Sequence, residues 1–364
     1  NFSNLSGIIE YFPEELYIKA KAGTPLSLIE EILEKNNQQL AFEPIDFGFI
    51  LNGKSNKGTI AGYVSCNFSG SRRFKFGSVR DHILGFRGVN GKGDIIKSGG
   101  TVVKNVTGYD LSKVVTGSFG TLVALTEITL KVVPKKASQS TIIIHLEDLN
   151  KISELFDKIL SSSNEISGSV YIPDEPNNKK FELNKKNIFQ FNDLKYDGSF
   201  LAFRIEGDKI SIEERKKDLN QELELKNLKT STLDLYQSIL FWKKINNLEL
   251  FKSTKNNILR AVVPPSSNYK LMQYIQNNHK YYVDWCGSLF WIEVANEDEV
   301  KINEIKKFVL EIGGYLTIIK RSENFGYNES LFTISENRFL ISKKIKESFD
   351  PKRIFNPGKM YKDI

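Results

Sequence analysis

Glycine interrupts the chain thirteen times between residues 58 and 134, and short runs of β-favouring residues separate these glycines. Glycine supplies turns that other residues resist, and it allows a ligand to approach the backbone closely. Successive backbone N–H groups in such turns form concave sites for anions. Two interpretations follow: a surface that wraps a large phosphate-bearing ligand, or a β-rich domain with many tight hairpins. Composition leaves both open.

The order of the glycines and the small polar residues beside them distinguishes the two interpretations. The motifs are Ala61-Gly62, Asn67 with Ser69-Gly70, Ser78–Asp81 with Leu84-Gly85, Lys104–Leu111, Gly117–Leu122 and, near the end of the chain, Phe355–Met360. In this order they resemble the FAD-binding domain of the vanillyl-alcohol oxidase / p-cresol methylhydroxylase family, and within it the FAD-binding subunit of bacterial glycolate oxidases. Each motif alone is a weak signal, whereas the ordered set spans most of the chain.

The resemblance implies an α+β fold, in which a two-part FAD-binding domain of the p-cresol methylhydroxylase type carries a ferredoxin-like α+β cap domain. It places the FAD-binding domain in residues 1–136 and the cap in residues 137–330. Residues 331–364 are then a C-terminal segment that returns to the FAD-binding domain. Residues 1–12 resemble the segment that follows the pyrophosphate loop of the family, so we expect that loop to be missing from this copy.

The resemblance also implies noncovalent FAD as the cofactor, because the early loop through which some relatives attach flavin to a histidine is absent here. The residues that it places at FAD are Pro44, Thr59, Ala61, Gly62, Asn67, Ser69, Gly70, Ser78, Val79, Asp81, Gly120, Thr121, Leu125 and Asn356. Lys104 falls within one of the motifs and is expected at the flavin edge. No catalytic residue is assigned, since the histidine cluster of many 2-hydroxyacid relatives has no counterpart in this sequence.

The activity implied by the resemblance is oxidation of a short 2-hydroxy acid, glycolate to glyoxylate, with electrons passed through FAD to a partner. The implied partners are a related, larger flavin subunit and an iron–sulfur subunit. The implied location is cytoplasmic, with peripheral attachment to the inner face of the cytoplasmic membrane as a variant. Two alternatives stay open: a stand-alone FAD-dependent 2-hydroxyacid dehydrogenase or alditol-type oxidase, and a non-catalytic scaffold subunit of the same fold.

Composition argues against several other kinds of protein and site. The two cysteines and three histidines stand far apart in 364 residues, which does not match metal-ligand spacing, so we expect no metal. An iron–sulfur cluster needs about four thiolates, so this chain is not expected to hold one. The net charge of +7 comes from lysines mixed with acidic residues, which favours a compositional bias over a nucleic-acid surface. No apolar run approaches the ~20 residues of a membrane span.

Local patterns predict several elements. Ile83 to Asn90 and Ile95 to Ser98 predict a hairpin, and Leu122 to Val133 predicts a strand that closes the first domain. Thr24-Pro25 predicts the start of a helix with Thr24 as its N-cap. After residue 138, repeated strand–helix–strand units are typical of a ferredoxin-like sandwich. A basic helix is predicted over residues 335–350.

Residues 48–55 fit the P-loop pattern G-x-x-x-x-G-K-[ST]. A true P-loop lies between a buried strand and a helix whose N-terminus holds phosphate. Here Pro44, Asp46 and Gly48 interrupt the approach, and residues 56–58 make a poor first helical turn. We therefore interpret the match as a loop insertion.

Two further groups of residues leave alternatives open. Arg72-Arg73 either bind a carboxylate or phosphate, for which guanidinium groups are suited, or lie in a solvated basic turn. Trp285 and Trp291 of the cap either line a site or pack in its core.

Overall fold

The fold contains two large antiparallel sheets with helices around them, in a computed structural model that describes residues 2, 4–51, 58–101, 108–174, 188, 198–252, 254–296, 298–322, 330–362 and 364. The strands are β1 Ile8–Phe12, β2 Tyr17–Lys21, β3 Gln38–Gln39, β4 Ile83–Asn90, β5 Ile95–Gly99, β6 Val123–Lys131, β7 Val133–Pro134, β8 Ser138–His145, β9 Gly168–Ile172, β10 Phe200–Gly207, β11 Lys229–Leu233, β12 Asn257–Val262, β13 Lys280–Asp284, β14 Leu289–Val294 and β15 Tyr315–Lys320. The helices are α1 Leu26–Glu34, α2 Gly48–Leu51, α3 Ile60–Cys66, α4 Arg73–Phe76, α5 Val79–His82, α6 Leu111–Val115, α7 Leu149–Ser161, α8 Lys209–Glu222, α9 Leu235–Asn246, α10 Asn268–Ile275, α11 Glu299–Glu311 and α12 Glu336–Phe349. Within the described ranges, no helix has both the length and the apolar character needed to cross a membrane.

The first sheet has the strand order β1-β2-β6-β4-β5. The predicted hairpin is confirmed, because β4 and β5 pair as neighbours with Gly88 opposite Ile96. The predicted closing strand is β6, which pairs with both β2 and β4. Ile128 of β6, Ile29 of α1 and Val64 of α3 belong to one buried cluster, so this core holds the two helices against the sheet.

The second sheet has eight strands in the order β11-β8-β10-β9-β13-β14-β12-β15. It consists of two consecutive β-α-β-β-α-β units, each with the strand arrangement of a ferredoxin-like fold. The units meet where β9 pairs with β13, with Tyr171 opposite Val283. The predicted ferredoxin-like character is confirmed, and the structure adds that the unit occurs twice.

The two faces of this second sheet have different neighbours. Helices α7, α8, α10 and α11 cover one face and share a core with it. The other face packs against α9 and against Ile45, Ile50 and Phe68 from the first half of the chain. The loops of the first half therefore lie against the cap sheet, and this junction positions the candidate site.

Thr24 does not cap α1, so that prediction is wrong. The N-cap position is Pro25, which makes no side-chain cap bond. The Thr24 hydroxyl instead donates to the carbonyl of Lys21 at 2.6 Å and accepts from the N–H of Gly7 at 3.0 Å. Threonine bonds readily to nearby backbone groups, and here the end of β2 and the approach to β1 compete successfully with the helix.

The predicted basic helix is α12, and its last turn is anchored on the first half of the chain. The N–H of Gly91 donates to the carbonyl of Phe349 at 2.9 Å. Lys346 is 2% exposed, and its ammonium donates to the carbonyls of Thr121 and Phe355 and to the carboxylate of Asp350. The end of the chain is thereby held against the loop that follows α6.

Candidate functional site

Three residues that the resemblance places at FAD lie at the start of α3. Thr59 is the N-cap, and its hydroxyl accepts from the N–H of Gly62 at 3.4 Å. Gly62 is exposed, and a Cβ placed on it would meet no atom closer than the Thr59 hydroxyl at 3.5 Å. Ala61 between them is half-buried. This turn of α3 therefore offers an open backbone surface.

The loop after α3 is tied to the loop before α5. Asn67 ends α3 in the left-handed conformation, with φ 53°, and its side-chain oxygen accepts from the N–H of Arg80 at 3.0 Å. The Ser69 hydroxyl accepts from the N–H of Val79 at 3.2 Å, and both residues are fully buried. The structure thus brings two of the predicted segments together through the small polar residues of the motifs.

Ser78 and Asp81 form the N-terminal cap of α5. The Asp81 carboxylate accepts from the N–H and the hydroxyl of Ser78 at 2.7 and 2.9 Å. Partial burial raises the pKa of Asp81, but these hydrogen bonds outweigh it and hold the pKa below its usual range. The role that the structure shows for this pair is to fix the loop beside Val79.

Gly70 lies at the closest approach between the first half and the cap. A Cβ on it would lie 2.4 Å from the side-chain oxygen of Asn246 in α9. Its carbonyl accepts from the indole N–H of Trp285 at 2.9 Å. Because a side chain has no room here, glycine is required for this packing.

The remaining predicted residues meet around the loop between α6 and β6. The Asn356 side chain donates to the carbonyls of Phe119 and Gly120 at 2.9 and 3.3 Å. The Thr121 hydroxyl donates to the carbonyl of Ser118, and Leu125 is buried in β6. The ring of Phe119 is 5.8 Å from that of Phe68, which stands between Asn67 and Ser69. Two predicted segments and Asn356 therefore converge at the junction with the cap.

Pro44 lies apart from this convergence, on a cavity of about 620 Å³ between α1, α9 and residues 135–139. The volume is that of an ordinary ligand site. None of the other thirteen residues in the list placed at FAD lines this cavity, and the structure describes all thirteen. Its walls carry both signs of charge, from Lys135 and Lys243 on the one hand and Glu30 and Asp46 on the other. Pro44 therefore does not lie together with most of the other residues that the resemblance places at FAD.

Some sequence predictions fall outside the described residues. These are Lys104 with the part of its motif up to residue 107, and residues 52–55 of the P-loop pattern. The first residues of that pattern form the short helix α2, where a P-loop would need a loop. The interpretation that this match holds no nucleotide is consistent with that helix.

The histidines do not form a cluster. The ring Nε2 of His82 bonds the carbonyl of Phe76 at 2.8 Å, and burial lowers the pKa of this histidine. His145 lies in β8 and His279 is buried before β13. Across the described ranges, no group of three or more His, Cys, Asp or Glu side chains is arranged to hold a metal ion. The lack of a metal remains a prediction.

A buried network of four charged residues, which the sequence patterns did not predict, joins the two halves. Arg204 of β10 donates to both oxygens of Glu43 at 2.8 and 3.0 Å. Arg72 donates through Nε to Glu206 of β10 at 3.1 Å and lies 3.4 Å from Glu43. The available signal was the pattern of β10, in which Arg204 and Glu206 interrupt an otherwise apolar strand.

The four charges of this network neutralise one another. Burial raises the pKa of Glu43, but Arg204 and Arg72 outweigh it and lower that pKa. The same balance lowers the pKa of Glu206 to about 2. Arg72 is therefore buried and bound by the protein's own carboxylates, so the interpretation of a solvated basic turn is wrong for it.

We expect Lys346→Met to release the C-terminal segment that carries Asn356. Removing the buried ammonium leaves Asp350 and two carbonyls without their donor. Limited proteolysis between α12 and the chain end should accelerate by about tenfold or more, because local opening becomes easier. Lys344→Met, at an exposed position of the same helix, is the control. Equal cleavage rates for the two variants would contradict the anchoring role of Lys346.

The residues at this junction fit FAD. A Cβ on Gly62 would occupy open space, which is what close approach of a large cofactor requires. The rings of Phe68, Phe119 and Phe332 meet edge to face beside Asn356, with Phe119 and Phe332 4.7 Å apart. Aromatic rings of this kind suit contact with a planar aromatic ligand.

Comparison with known proteins identifies an FAD-binding domain in the chain. Residues 1–99 match the FAD binding domain family. The chain is 31% identical to glycolate oxidase subunit GlcE of Escherichia coli (strain K12) over 98% of its own length and 85% of that protein. It is 26% identical to glycolate oxidase subunit GlcD of Bacillus subtilis (strain 168) over 99% of its own length and 78% of that protein.

Among solved structures, alkyldihydroxyacetonephosphate synthase matches 97% of the chain with a TM-score of 0.64 at 16% identity. The chain spans 66% of that protein, and at 16% identity the likeness concerns the fold alone. The sequence match to GlcE is long enough to decide the family. The chain belongs to the family of glycolate oxidase subunits with an FAD-binding domain, and it is an FAD-dependent oxidoreductase.

Proposed function

We propose that this chain is the FAD-binding subunit of an enzyme complex that oxidises a short 2-hydroxy acid, with glycolate converted to glyoxylate. The observation that carries the proposal is the convergence of residues 67–70, residues 117–121 and Asn356 where the first half meets the cap. A small substrate there would lie between the cofactor and the cap sheet. The names of the two relatives as glycolate oxidase subunits support this choice of substrate class.

Within this proposal, FAD lies along residues 59–70, 78–81 and 120–125, with its flavin end at Asn356. Residues 1–136 form its domain, residues 137–330 the cap, and residues 331–364 the returning segment. The hydrogen bonds of Asn356 to the carbonyls of Phe119 and Gly120 support a fixed position for this end of the site.

The reaction removes a hydride from the α-carbon and a proton from the hydroxyl group of the acid. FAD, when bound, supplies the two-electron acceptor for that hydride. The role of the chain in this reaction is to hold the reactants and to exclude water. Phe68, Phe119 and Phe332 present apolar edges at the junction, and Gly62 leaves the backbone open to the cofactor.

The complex proposed here contains a related, larger flavin subunit and an iron–sulfur subunit, in the cytoplasm or on the inner face of the cytoplasmic membrane. An iron–sulfur cluster needs about four thiolates. The described cysteines are Cys66 and Cys286, the second of which is fully buried. Burial raises the pKa of the Cys66 thiol to about 11, which disfavours the thiolate that metal binding needs. Onward electron transfer in the proposal therefore uses a partner.

We expect the isolated chain with added FAD to oxidise glycolate with a dye acceptor at less than about one hundredth of the rate of the complex. A positioned general base typically contributes 10²–10⁴-fold, and we assign none among the residues that the structure describes. The measurement compares turnover of glycolate with and without the two proposed partners.

Glycolate turnover also decides between the two alternative functions. Equal turnover by the isolated chain would overturn the subunit proposal and favour a stand-alone 2-hydroxyacid dehydrogenase. A complex that retains full activity when this chain carries no flavin would instead favour the scaffold alternative.

A further inference from the structure

Arg260 stands at an unusual place for a charged residue. It lies in β12, the strand beside the edge strand β15 of the eight-stranded sheet, opposite Trp291 of β14. Its strand neighbour at two residues' distance, Ile258, belongs to the core that faces the first half of the chain. Since side chains alternate along a strand, Arg260 points to the same face, where an apolar residue would be expected.

The guanidinium of Arg260 is enclosed by aromatic rings. The residue is 6% exposed, and its Cζ lies 5.0 to 5.9 Å from the ring centroids of Trp285, Phe68 and Trp291. Rings of this kind stabilise a cation through its flat face and leave the N–H edges for partners in the plane. The Nε of Arg260 is buried without a hydrogen-bond partner.

A second cation lies on the same indole. The guanidinium of Arg73, from α4, is 4.2 Å from the ring centroid of Trp285. Burial lowers the pKa of Arg260 to about 10, and Arg73 lowers it while Tyr315 raises it. Two like charges around one ring oppose each other, so an anion between them would stabilise both.

The protein's own carboxylates do not supply that anion within the described ranges. No ion pair there involves Arg260 or Arg73. Asp284 directly precedes Trp285, but its oxygens accept from the Ser71 hydroxyl at 2.7 Å and from the backbone N–H of Trp285 at 2.6 Å. Burial raises the pKa of Asp284 to about 7, so this group is a weak source of negative charge.

The turn that presents Trp285 is held in a strained form. Trp285 and Cys286 both have left-handed φ values, 51° and 50°, although neither is glycine. Such positions persist only where the surroundings fix them, and here the indole N–H is bonded to the carbonyl of Gly70. The ring that both arginines contact is therefore fixed relative to the loop that carries Asn67 and Ser69.

We propose that Arg260, assisted by Arg73, binds the carboxylate of the substrate. Phe68 is in contact with Arg260 on one side and with Phe119 on the other, and Phe119 is the residue whose carbonyl holds Asn356. The contacts of Phe68 and Phe119 thus link the anion subsite to the proposed flavin end. A planar guanidinium fork matches a carboxylate in two hydrogen bonds. This inference rests on the proposed function, and it assigns to this chain the recognition of the acid group.

The test measures binding as well as turnover. In the FAD-loaded complex, oxalate is titrated as a two-carbon carboxylate while the visible flavin spectrum is recorded. Arg260→Gln and Arg73→Gln are compared with the native complex, and Arg338→Gln, an exposed arginine of α12, is the control. We expect Arg260→Gln to weaken oxalate binding by roughly 30-fold or more, because one partner of a buried charge pair is lost. Arg73→Gln should also weaken oxalate binding, by a smaller factor.

Neutral and inorganic probes separate the possible outcomes. Glycolamide, which lacks the carboxylate, should bind the native complex and Arg260→Gln equally weakly. If Arg260→Gln loses its flavin, Arg73→Gln is used in its place. The measurement is then how strongly oxalate inhibits glycolate turnover in that variant and in the native complex. Unchanged oxalate binding in flavin-retaining variants, or phosphate binding as tightly as oxalate, overturns the carboxylate assignment and leaves the proposed function standing. A native complex that neither binds oxalate nor oxidises any 2-hydroxy acid overturns both.

Discussion

Replacement of Gly62 by valine abolishes flavin retention in the purified protein: this is the largest effect that we expect from a single substitution. The proposed cofactor path passes over the exposed backbone of α3 at this residue. A Cβ here has its nearest neighbour 3.5 Å away, so the added side chain extends into the space that we assign to FAD. Valine is a better helix former than glycine, so the fold of the variant should persist.

The measurement is the ratio of flavin absorption to protein, together with the thermal midpoint of the cofactor-free protein. Ser161→Val places the same side chain at an exposed position of α7, remote from the proposed path, and should keep its flavin. Full flavin content in Gly62→Val would show that the cofactor is placed wrongly. Loss of both flavin and the folding transition would mean that the substitution acts on stability instead.

The sequence was informative where local chemistry determines the structure. Two short strand-like runs on either side of Gly91-Lys92-Gly93 predicted the β4–β5 hairpin, which forms as expected. The repeated strand–helix–strand pattern predicted the ferredoxin-like cap. It did not reveal that two such units share one sheet, because the pairing of β9 with β13 joins residues more than 100 positions apart.

Long-range contacts also explain what was missed at the site. Arg72 and Arg73 are neighbours in sequence, but Arg72 donates to Glu206 whereas the guanidinium of Arg73 contacts the ring of Trp285. Thr24 had the residue type of an N-cap, yet the backbone at Gly7 and Lys21 bound its hydroxyl. In each case a partner remote in sequence, or a competing local bond, decided the outcome, and neither is visible in a pattern of residue types.

Removal of Arg204 should cause the largest loss of stability. This residue is 1% exposed, donates to both oxygens of Glu43, and stacks 4.7 Å from the ring centroid of Trp242. Arg204→Met leaves two buried carboxylates with Arg72 as their remaining partner in the network. Breaking a buried ion pair in this way costs about 3–5 kcal/mol of unfolding free energy.

Denaturant titration measures this loss, and two further variants test its cause. Lys217→Met removes one partner of the exposed Lys217–Glu214 pair and should leave the midpoint of denaturant unfolding unchanged. Combining Arg204→Met with Glu43→Gln should destabilise less than the sum of the single substitutions, since the second removes the charge that the first leaves unpaired. Additive effects would contradict a direct interaction between Arg204 and Glu43.

The pH dependence of stability provides the sharpest test of the network. The pKa of Glu206 is about 2 in the folded protein and near 4.3 in an unfolded chain, so the folded state binds the proton less readily. Its contribution, roughly 3 kcal/mol, is therefore fully present above about pH 4.3 and is lost as the pH falls toward 2. In Arg204→Met the folded pKa of Glu206 rises, because one of its two cations is gone. The unfolding free energy of the variant should then fall less steeply between pH 4.5 and 2 than that of the native protein, and parallel curves would show that Arg204 does not hold this carboxylate in its charged form.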